Sequence, residues 1–356
     1  MSKAVTYHII GAGAAGLYCA RLLKEQNQLN RTIIYEASGK AGGRCYSYND
    51  KDLNMRLDNA THVIVGGNKL AAKLMAPQKW NKSCWFWDVK ADEFTAEYKK
   101  YRAEILRAMC NTATPEIAQP IIKNIFWQLF PWGPKQRQIY FSVQDLTQRF
   151  INPLLAYADE IHLNSRLVKL DTQIGRIAQL TFNNQEVEIG ANDKIILALD
   201  AHNAAQFLGL PQFEFNNIIN IFYKTSQRIN LPKQTSFAGV AGGLCDWIFC
   251  YDKMVAVTIS NAGNVGDIEQ LARQIWHQLD TLRGVNSAFV PSFKALNHKY
   301  ATIKQDAANN DKRPPNACTT YPNLFIAGDW TMKNRPCCIE TALQSAVRAV
   351  KAATKN

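Results

Sequence analysis

A strand, a glycine-rich turn and a helix follow one another at the start of the chain, and this order constrains the fold more than any other feature. Residues 7–10 form an apolar run short enough for a buried parallel strand, and residues 11–16 read G-A-G-A-A-G. A helical pattern follows, and a second apolar run ends on Glu36, 20 positions after Gly16. The pattern predicts a dinucleotide-binding βαβ unit, with a pyrophosphate at the helix N-terminus and ribose hydroxyls on the acidic residue. The predicted contacts are Gly11, Gly13, Ala14, Ala15, Gly16 and Glu36.

The sequence after Glu36 narrows the choice of dinucleotide. Ala37 follows directly, and Gly42, Gly43 and Arg44 then form a second glycine turn that ends in a cation. This E-A-x(4)-G-G-R pattern resembles FAD proteins of the amine oxidase and phytoene desaturase type, and the resemblance implies FAD as the cofactor. We expect the glycines to let the chain pass close to the cofactor, and the arginine to offer a fork of donors to phosphate or flavin.

A third candidate cofactor segment lies near the C-terminus. Residues 323–328 predict a buried strand that ends at Gly328, so Asp329 projects from its carboxyl end, where ligands of open α/β sheets collect. We expect Asp329 to accept hydrogen bonds from the ribitol hydroxyls. A last helix is predicted to start at Glu340 and Thr341, with Thr341 and Gln344 at capping-box spacing. Its positive dipole end would then face the flavin.

Short strand patterns in the middle of the chain return to the nucleotide unit. Residues 166–189 predict a β-meander that feeds a buried strand at residues 194–199, and this places the backbone of Val168 near the adenine. The predicted fold class is therefore α/β: a Rossmann-type FAD-binding domain, with a doubly wound sheet plus the β-meander, and an interleaved α+β substrate domain. The predicted discontinuous FAD-binding domain comprises residues 1–74, 153–205 and 302–356, and the predicted substrate domain comprises residues 75–152 and 206–301 with a helical insert.

A polar loop close behind the cofactor motifs contains the candidate catalytic residues. Asp58, Asn59 and His62 precede an apolar strand pattern, and a loop at this place is expected to border the flavin. Asp58 and His62 are candidates for the catalytic acid by position only. The alternative is turn chemistry for the aspartate and a packed ring for the histidine.

The segment from about residue 75 to residue 150 changes character and is rich in aromatic, apolar and basic residues. Two helical patterns occur here, and the second has a wide apolar stripe from Ile121 to Phe130. Three interpretations stay open: the wall of a lipid cavity, a surface that rests on a membrane, or ordinary core. The tryptophans in or beside this segment are Trp80, Trp85, Trp87, Trp127 and Trp132.

Charge and cysteine usage limit the class of partners. The chain has 41 Lys and Arg against 29 Asp and Glu, a net charge of +12, without a nucleic-acid-binding motif. An anionic membrane surface therefore suits the charge better than nucleic acid, and a merely basic protein is the alternative. Nine cysteines without metal-ligand spacing indicate reduced thiols and no metal site. No apolar run is long enough to span a bilayer, so we expect a cytoplasmic protein, with peripheral attachment to the inner face of the membrane as the variant that the charge suggests.

Three stretches together resemble the hydroxysqualene dehydroxylase family: residues 57–62, 241–247 and 323–340. The resemblance implies that reduced FAD removes the hydroxyl of a long-chain isoprenoid alcohol and leaves squalene and water. A carotenoid-type desaturase, a flavin amine oxidase and a non-catalytic prenyl-lipid binding protein on the same fold remain alternatives. The sequence leaves the external electron donor open.

Overall fold

A five-stranded parallel sheet organises the N- and C-terminal parts of the chain. The computed structural model describes residues 4–75, 84–97, 99–129, 139–141, 145–227, 229–285 and 288–355. Elements are numbered along the chain, and the strand order is β19-β13-β1-β2-β9 with parallel pairing throughout. Segments from four distant parts of the sequence thus meet in one sheet. Its strands are β1 (Thr6–Ile10), β2 (Arg31–Tyr35), β9 (Glu160–His162), β13 (Lys194–Leu197) and β19 (Leu324–Ile326).

Both faces of this sheet are covered, as the continuous apolar runs of its strands require. One face packs on α1 (Ala14–Gln26) and α10 (Ile339–Ala353), which lie side by side and share one apolar core. The other face packs on a second core that the meander and α6 complete. The elements of this second layer are β10 (Leu167–Gln173), β11 (Arg176–Phe182), β12 (Glu186–Glu188) and α6 (Ala201–Leu208). The structure thus has the predicted Rossmann-type sheet and meander.

A seven-stranded, mostly antiparallel sheet forms the second half of the molecule. Its order is β18-β14-β17-β16-β15-β6-β7, and only the β15–β6 pair is parallel. One face packs on α7 (Ile268–Gln278), whose N-terminus is capped by the Asp267 side chain. The other face points towards the interior of the molecule. The strands are β6 (Phe86–Asp88), β7 (Glu93–Thr95), β14 (Phe215–Lys224), β15 (Phe237–Ala241), β16 (Trp247–Cys250), β17 (Met254–Ser260) and β18 (Phe293–Ile303).

Two helices of the predicted insert stand over the open face of this sheet. Helix α3 (Arg102–Cys110) and helix α4 (Gln119–Leu129) share a small apolar core of their own. Trp80, Phe130 and Trp132, which were part of the predicted aromatic cluster and stripe, lie outside the described residues. The remaining elements are β3 (Ser47–Asp50), β4 (Met55–Asp58), β5 (Val63–Val65), α2 (Lys69–Met75), β8 (Ile139–Phe141), α5 (Asn152–Leu155), α8 (Asp280–Arg283) and α9 (Ala307–Lys312), with 3-10 turns at Thr114–Glu116, Pro232–Gln234 and Asp329–Thr331 and a π-turn at Thr147–Ile151.

Sheet membership supports the division into two interleaved domains, which we propose with the boundaries given above. The parallel sheet is built from the three predicted FAD-binding segments, and the seven-stranded sheet from the predicted substrate segments. Strand β18 runs on to Ile303, just beyond the predicted boundary at residue 301. Among the described residues, no helix is long and apolar enough to cross a membrane.

Candidate active site

One large cavity joins the two halves of the molecule. Its volume is about 1540 Å³, larger than the roughly 300–1,000 Å³ of a pocket for a single small ligand. One end is lined by both glycine turns and by the end of β19, and the other by α3, α4 and the open face of the seven-stranded sheet. The cavity is therefore large enough for a dinucleotide and a second molecule end to end.

The three glycines of the first turn have two different roles. Two of them shape the turn, and the third borders the cavity. Gly11 has φ +107°, and a Cβ there would lie 2.6 Å from the Ala198 carbonyl oxygen. A Cβ on Gly16 would collide with the Gly11 carbonyl oxygen, so Gly16 sets the close packing of α1 on β1. At Gly13 a Cβ would meet no atom within 4 Å, although the residue lines the cavity. This free space directly at the N-terminus of α1 fits a pyrophosphate.

The second glycine turn lies directly against the first. Gly42 and Gly43 have φ of +119° and +56°, and a Cβ on Gly43 would be 3.1 Å from the Gly13 Cα. Both turns line the same part of the cavity, together with Ala14, Ala15 and Ala37. The structure thus brings the two predicted motifs together around one phosphate-sized space.

Glu36 joins the first glycine turn to Ser38, in the segment that leads into the second turn. Its Oε2 accepts a hydrogen bond from the Ala12 N–H at 2.9 Å, and its Oε1 accepts from the N–H and the hydroxyl of Ser38 at 2.9 and 2.8 Å. A carboxylate has about four acceptor positions, and these contacts use three of them. Glu36 lines the cavity, so the remaining position is available to a ribose hydroxyl.

Arg44 and Asp329 form an ion pair that links the second glycine turn to the end of β19. The Arg44 Nη2 lies 2.8 Å from the Asp329 Oδ1, and Nη1 donates to the Ala301 carbonyl at 2.6 Å. The negative charge of Asp329 raises the pKa of Arg44. Protein acceptors therefore occupy the fork that was expected to face phosphate or flavin. Within the described residues all hydrogen bonds to Asp329 go to Oδ1, which leaves Oδ2 for ribitol hydroxyls; Gly328 also lines the cavity.

The start of the last helix differs from its prediction. Helix α10 begins at Ile339, after Cys338 in the N-cap position, and the Thr341–Gln344 capping box does not form. Thr341 is buried, does not line the cavity and contacts the Cys338 thiol at 3.4 Å. The first turn does line the cavity, so its positive dipole end faces this space as expected.

Glu340 lines the cavity, but its carboxylate is engaged by the protein. Oε2 accepts from the backbone N–H groups of Leu70 and Ala71, both at 2.9 Å, and Oε1 accepts from the Gln344 amide at 2.8 Å. Glu340 therefore caps the N-terminus of α2, although 270 positions in the sequence separate it from Leu70.

Val168 is not in the cavity wall. A β-bulge between Leu167 and Lys169 turns its side chain to solvent, where it is 58% exposed. Its neighbours Arg166 and Leu167 line the cavity beside Glu36 instead. The prediction named the backbone of Val168, and the cavity lining of the described residues contains its neighbour Leu167 on the same strand.

The two catalytic candidates have different surroundings. Asp58 is buried outside the cavity wall, and its Oδ1 accepts from the Ser47 hydroxyl at 2.6 Å and from the Leu146 N–H at 3.1 Å. These contacts tie the paired strands β3 and β4 to the turn at Leu146, so the observed role of Asp58 is structural. His62 lines the cavity, and its Nε2 donates to the Arg44 carbonyl at 3.3 Å. Burial lowers the pKa of His62, so the ring is neutral at neutral pH and offers an acceptor at Nδ1.

The structure adds a second histidine that no sequence motif indicated. His298, on β18, lines the cavity and its Nε2 donates to the Asn59 carbonyl at 2.9 Å. Burial lowers the pKa of His298 as well. The sequence signal for His298 was the alternation of side chains between the two faces of the strand. Alternation does not show that one of these faces borders a cavity.

Apolar side chains make up most of the far end of the cavity. They come from the insert helices and from alternate positions of the sheet, so strands distant in sequence supply one wall. All nine cysteines are free thiols, and the described residues contain no cluster of potential metal ligands. The apolar lining comprises Ile105, Leu106, Met109, Ile122, Ile125, Phe126, Ile218, Trp247 and Phe249.

Comparison with known families defines the class of the protein. Residues 9–76 match the family described as NAD(P)-binding Rossmann-like domain, and residues 123–354 match flavin containing amine oxidoreductase. The second match covers well over half of the chain, so the protein belongs to the flavin containing amine oxidoreductase family. It is an FAD-dependent oxidoreductase with FAD as its cofactor, which agrees with the open space at Gly13 and the available Oδ2 of Asp329.

Within this class, two curated relatives are similar to the chain over nearly its full length. It is 28% identical to hydroxysqualene dehydroxylase from Zymomonas mobilis over 98% of this chain and 99% of that protein. It is 27% identical to hydroxysqualene dehydroxylase from Sinorhizobium fredii, over 96% of each chain. These similarities confirm the predicted resemblance along the whole chain.

Two solved structures have a similar fold but little sequence in common with the chain. A putative protoporphyrinogen oxidase from Exiguobacterium matches with a TM-score of 0.70 and 12% identity, covering all of both chains. A putrescine oxidase bound to putrescine matches with a TM-score of 0.67 and 12% identity, covering 99% of this chain and all of the other. At this identity the similarity establishes the fold alone.

Proposed function

We propose that the protein catalyses the reductive dehydroxylation of hydroxysqualene to squalene in isoprenoid, and specifically hopanoid, biosynthesis. Bound FAD in its two-electron-reduced form supplies a hydride and a proton: the C–O bond breaks, a C–H bond forms, and the oxygen leaves as water while FAD becomes oxidised. The similarity to two hydroxysqualene dehydroxylases over nearly the full chain supports this reaction.

The continuity of the cavity is the observation that carries the proposal. A single space of about 1540 Å³ extends from the glycine turns to a largely apolar wall of two helices and a sheet. A small polar amine does not need such a wall, whereas a C30 chain gains about 0.8 kcal/mol for each buried CH₂. The apolar end therefore fits a long isoprenoid.

Residues of the chain contribute positioning and exclusion of water. An allylic alcohol that ionises leaves a cation that water would capture, and the apolar lining around Trp247 and Phe249 keeps water away. His62 and His298 are neutral and each directs its Nε2–H at a backbone carbonyl, so the other ring nitrogen, Nδ1, is an acceptor and does not protonate the leaving oxygen. We propose that His62 positions the cavity wall beside the second glycine turn.

The test is product analysis with both redox states of the enzyme. Photoreduced, anaerobic enzyme is incubated with hydroxysqualene, and oxidised enzyme with phytoene and with putrescine. We expect squalene from the first mixture and no product from the others. Oxidation of phytoene or of the amine, without squalene from the first mixture, would assign the protein to the desaturases or to the amine oxidases. Binding of lipid without any turnover would leave a prenyl-lipid binding protein.

We also propose that the protein is cytoplasmic and binds anionic membrane peripherally. Helix α4 exposes Phe126 and Trp127, which are 47% and 65% accessible, near Lys123 and on a chain with a net charge of +12. Apolar side chains with basic neighbours favour binding to anionic lipid. Sedimentation with phosphatidylserine vesicles should decrease as salt rises, because salt screens surface charge. Equal binding to neutral phosphatidylcholine vesicles would remove the electrostatic part of this proposal.

A further inference from the structure

Three polar side chains meet on the cavity face of the seven-stranded sheet. The hydroxyl oxygens of Thr61 and Thr258 are 2.6 Å apart, and the Asn220 Oδ1 lies 3.2 Å from the first and 2.9 Å from the second. Asn220 and Thr258 face each other as register partners on β14 and β17, and Thr61 comes from the loop after β4. All three residues line the cavity.

The position of Asn220 is unusual for its strand. Its neighbours Ile219 and Ile221 point to the other side of the sheet and pack in the core with α7. Asn220 is fully buried, with no exposed surface, on the side that borders the apolar wall. A buried amide costs stability unless its hydrogen bonds are made, so an asparagine here calls for polar partners.

The donors and acceptors of this cluster do not all find partners within it. The three contacts share only two hydroxyl hydrogens, and the Asn220 Nδ2 is buried without a partner among the described residues. Turning the amide by 180° places its nitrogen 3.2 and 2.9 Å from the Thr61 and Thr258 oxygens, so that it can donate to both, and makes Oδ1 the buried atom without a partner among the described residues. One threonine hydroxyl then donates to the other, and one hydroxyl hydrogen is left over for a further acceptor.

Two other polar groups on this wall have partners of their own. His298 donates to the Asn59 carbonyl, and the Thr302 hydroxyl accepts from the Asn111 amide at 3.0 Å. The Thr61–Asn220–Thr258 cluster therefore combines spare hydrogen-bonding capacity with an apolar setting, the arrangement that orients a largely apolar ligand by a single polar group.

We propose that the Thr61–Asn220–Thr258 cluster binds the hydroxyl oxygen of the substrate alcohol, an inference that rests on the proposed function and names the subsite for the leaving group. Thr61 directly precedes His62, which contacts the Arg44 carbonyl beside the second glycine turn, so the cluster lies where the FAD end meets the apolar end. The free threonine hydroxyl donates to the oxygen while the C–O bond breaks and its electron pair moves to oxygen. The hydride and the proton that complete squalene and water come from reduced FAD, as above. Asn220 is a positioning residue that orients the threonines.

Binding to oxidised holoenzyme tests the cluster without turnover, because oxidised FAD cannot reduce the alcohol. The dissociation constants of hydroxysqualene and of squalene are measured from the change in flavin absorbance in detergent micelles. Asn220→Leu and Thr258→Val should each weaken hydroxysqualene by about 10- to 100-fold, the usual cost of removing a buried hydrogen-bond partner. Squalene, which lacks the hydroxyl, should change by less than about twofold. Thr258→Ser keeps the hydroxyl and is the matched control that retains both affinities.

Flavin content and thermal unfolding establish that each variant is folded, and Thr258→Val decides the question if Asn220→Leu does not fold. Equal loss of affinity for the two ligands, or unchanged affinity for both, would overturn the subsite. Turnover by reduced wild-type enzyme is scored separately. If it makes no squalene, the proposed function fails, whereas selective loss of the alcohol in the variants still supports the subsite.

Discussion

The FAD end and the substrate end of the cavity are built in opposite ways. At the FAD end, the contacts come from a few short motifs, each a run of neighbouring residues that supplies a backbone turn or a charged side chain, as residues 36–44 supply Glu36, both glycines and Arg44. At the substrate end, side chains from α3, α4 and four strands of one sheet share a largely apolar wall, and these strands have no sequence motif in common. A dinucleotide is recognised by groups at fixed geometry, whereas a long apolar chain is recognised by area and shape. The two ends should therefore respond differently to single substitutions.

The largest effect is expected at the packing glycine of the first turn. Gly16→Ala places a methyl group against the Gly11 carbonyl oxygen, and neither backbone can move without separating α1 from β1. We expect the free energy of unfolding to fall by about 3 kcal/mol or more, measured by urea denaturation of the apoprotein. Gly13→Ala is the control: its methyl group enters open space, so it should keep stability within about 1 kcal/mol and lose FAD. The reverse order of stabilities would contradict the assigned roles of the two glycines.

Glu36 is the next test at the FAD end. Glu36→Ala removes the carboxylate that holds the first turn and Ser38 and, in our proposal, a ribose hydroxyl, so FAD affinity should fall by about 1.5–3 kcal/mol. Fluorescence titration of the apoprotein with FAD measures the effect, and Glu36→Gln, which keeps one acceptor oxygen, should lose less. Wild-type affinity in Glu36→Ala would exclude the residue from the ribose site.

Two neighbouring aromatic residues on α4 test the substrate end. Phe126 lines the cavity and Trp127 does not, although both are exposed to a similar degree. Phe126→Ser should raise KM for hydroxysqualene by about 3- to 10-fold, since a few CH₂ contacts are lost, with bound FAD unchanged. Trp127→Ser should leave KM unaltered in detergent micelles. Ile125 is a poorer choice because it is buried in the core that α3 and α4 share. An equal rise in both variants would indicate a surface effect and not a cavity contact.

The smallest predicted effect is a dependence of stability on pH. Burial lowers the pKa of His298 in the folded protein below its ordinary value of about 6.5, so the unfolded chain binds a proton that the folded protein does not. The stability from this group is complete above that ordinary pKa and is lost as the pH falls from there toward the lower folded pKa. His298→Gln should reduce the loss of unfolding free energy between pH 7 and pH 5 by on the order of 1 kcal/mol. An unchanged pH profile would show that His298 does not titrate in this range.

The contrast between the two ends also explains how much could be read from the sequence. The parallel sheet, both glycine turns and Asp329 were predictable because strand, turn and acid follow within a few residues of one another. Proximity in sequence to the motif does not show which way a side chain points, and Asp58 lies outside the cavity lining, where it accepts from the Ser47 hydroxyl. The Thr341 capping box failed since Cys338 begins the helix earlier. His298 and Asn220 could not be found, because their cavity position follows only from the pairing of strands far apart in sequence.

The central claim is that one cavity brings reduced FAD and a long-chain isoprenoid alcohol together, and a single-turnover reaction tests it most directly. Photoreduced enzyme is mixed anaerobically with excess hydroxysqualene, flavin reoxidation is followed by absorbance, and squalene is quantified in the same sample. The account predicts one squalene formed for each flavin reoxidised, and no reoxidation when squalene replaces the alcohol. Flavin that stays reduced with hydroxysqualene, or reoxidises without forming squalene, would contradict it.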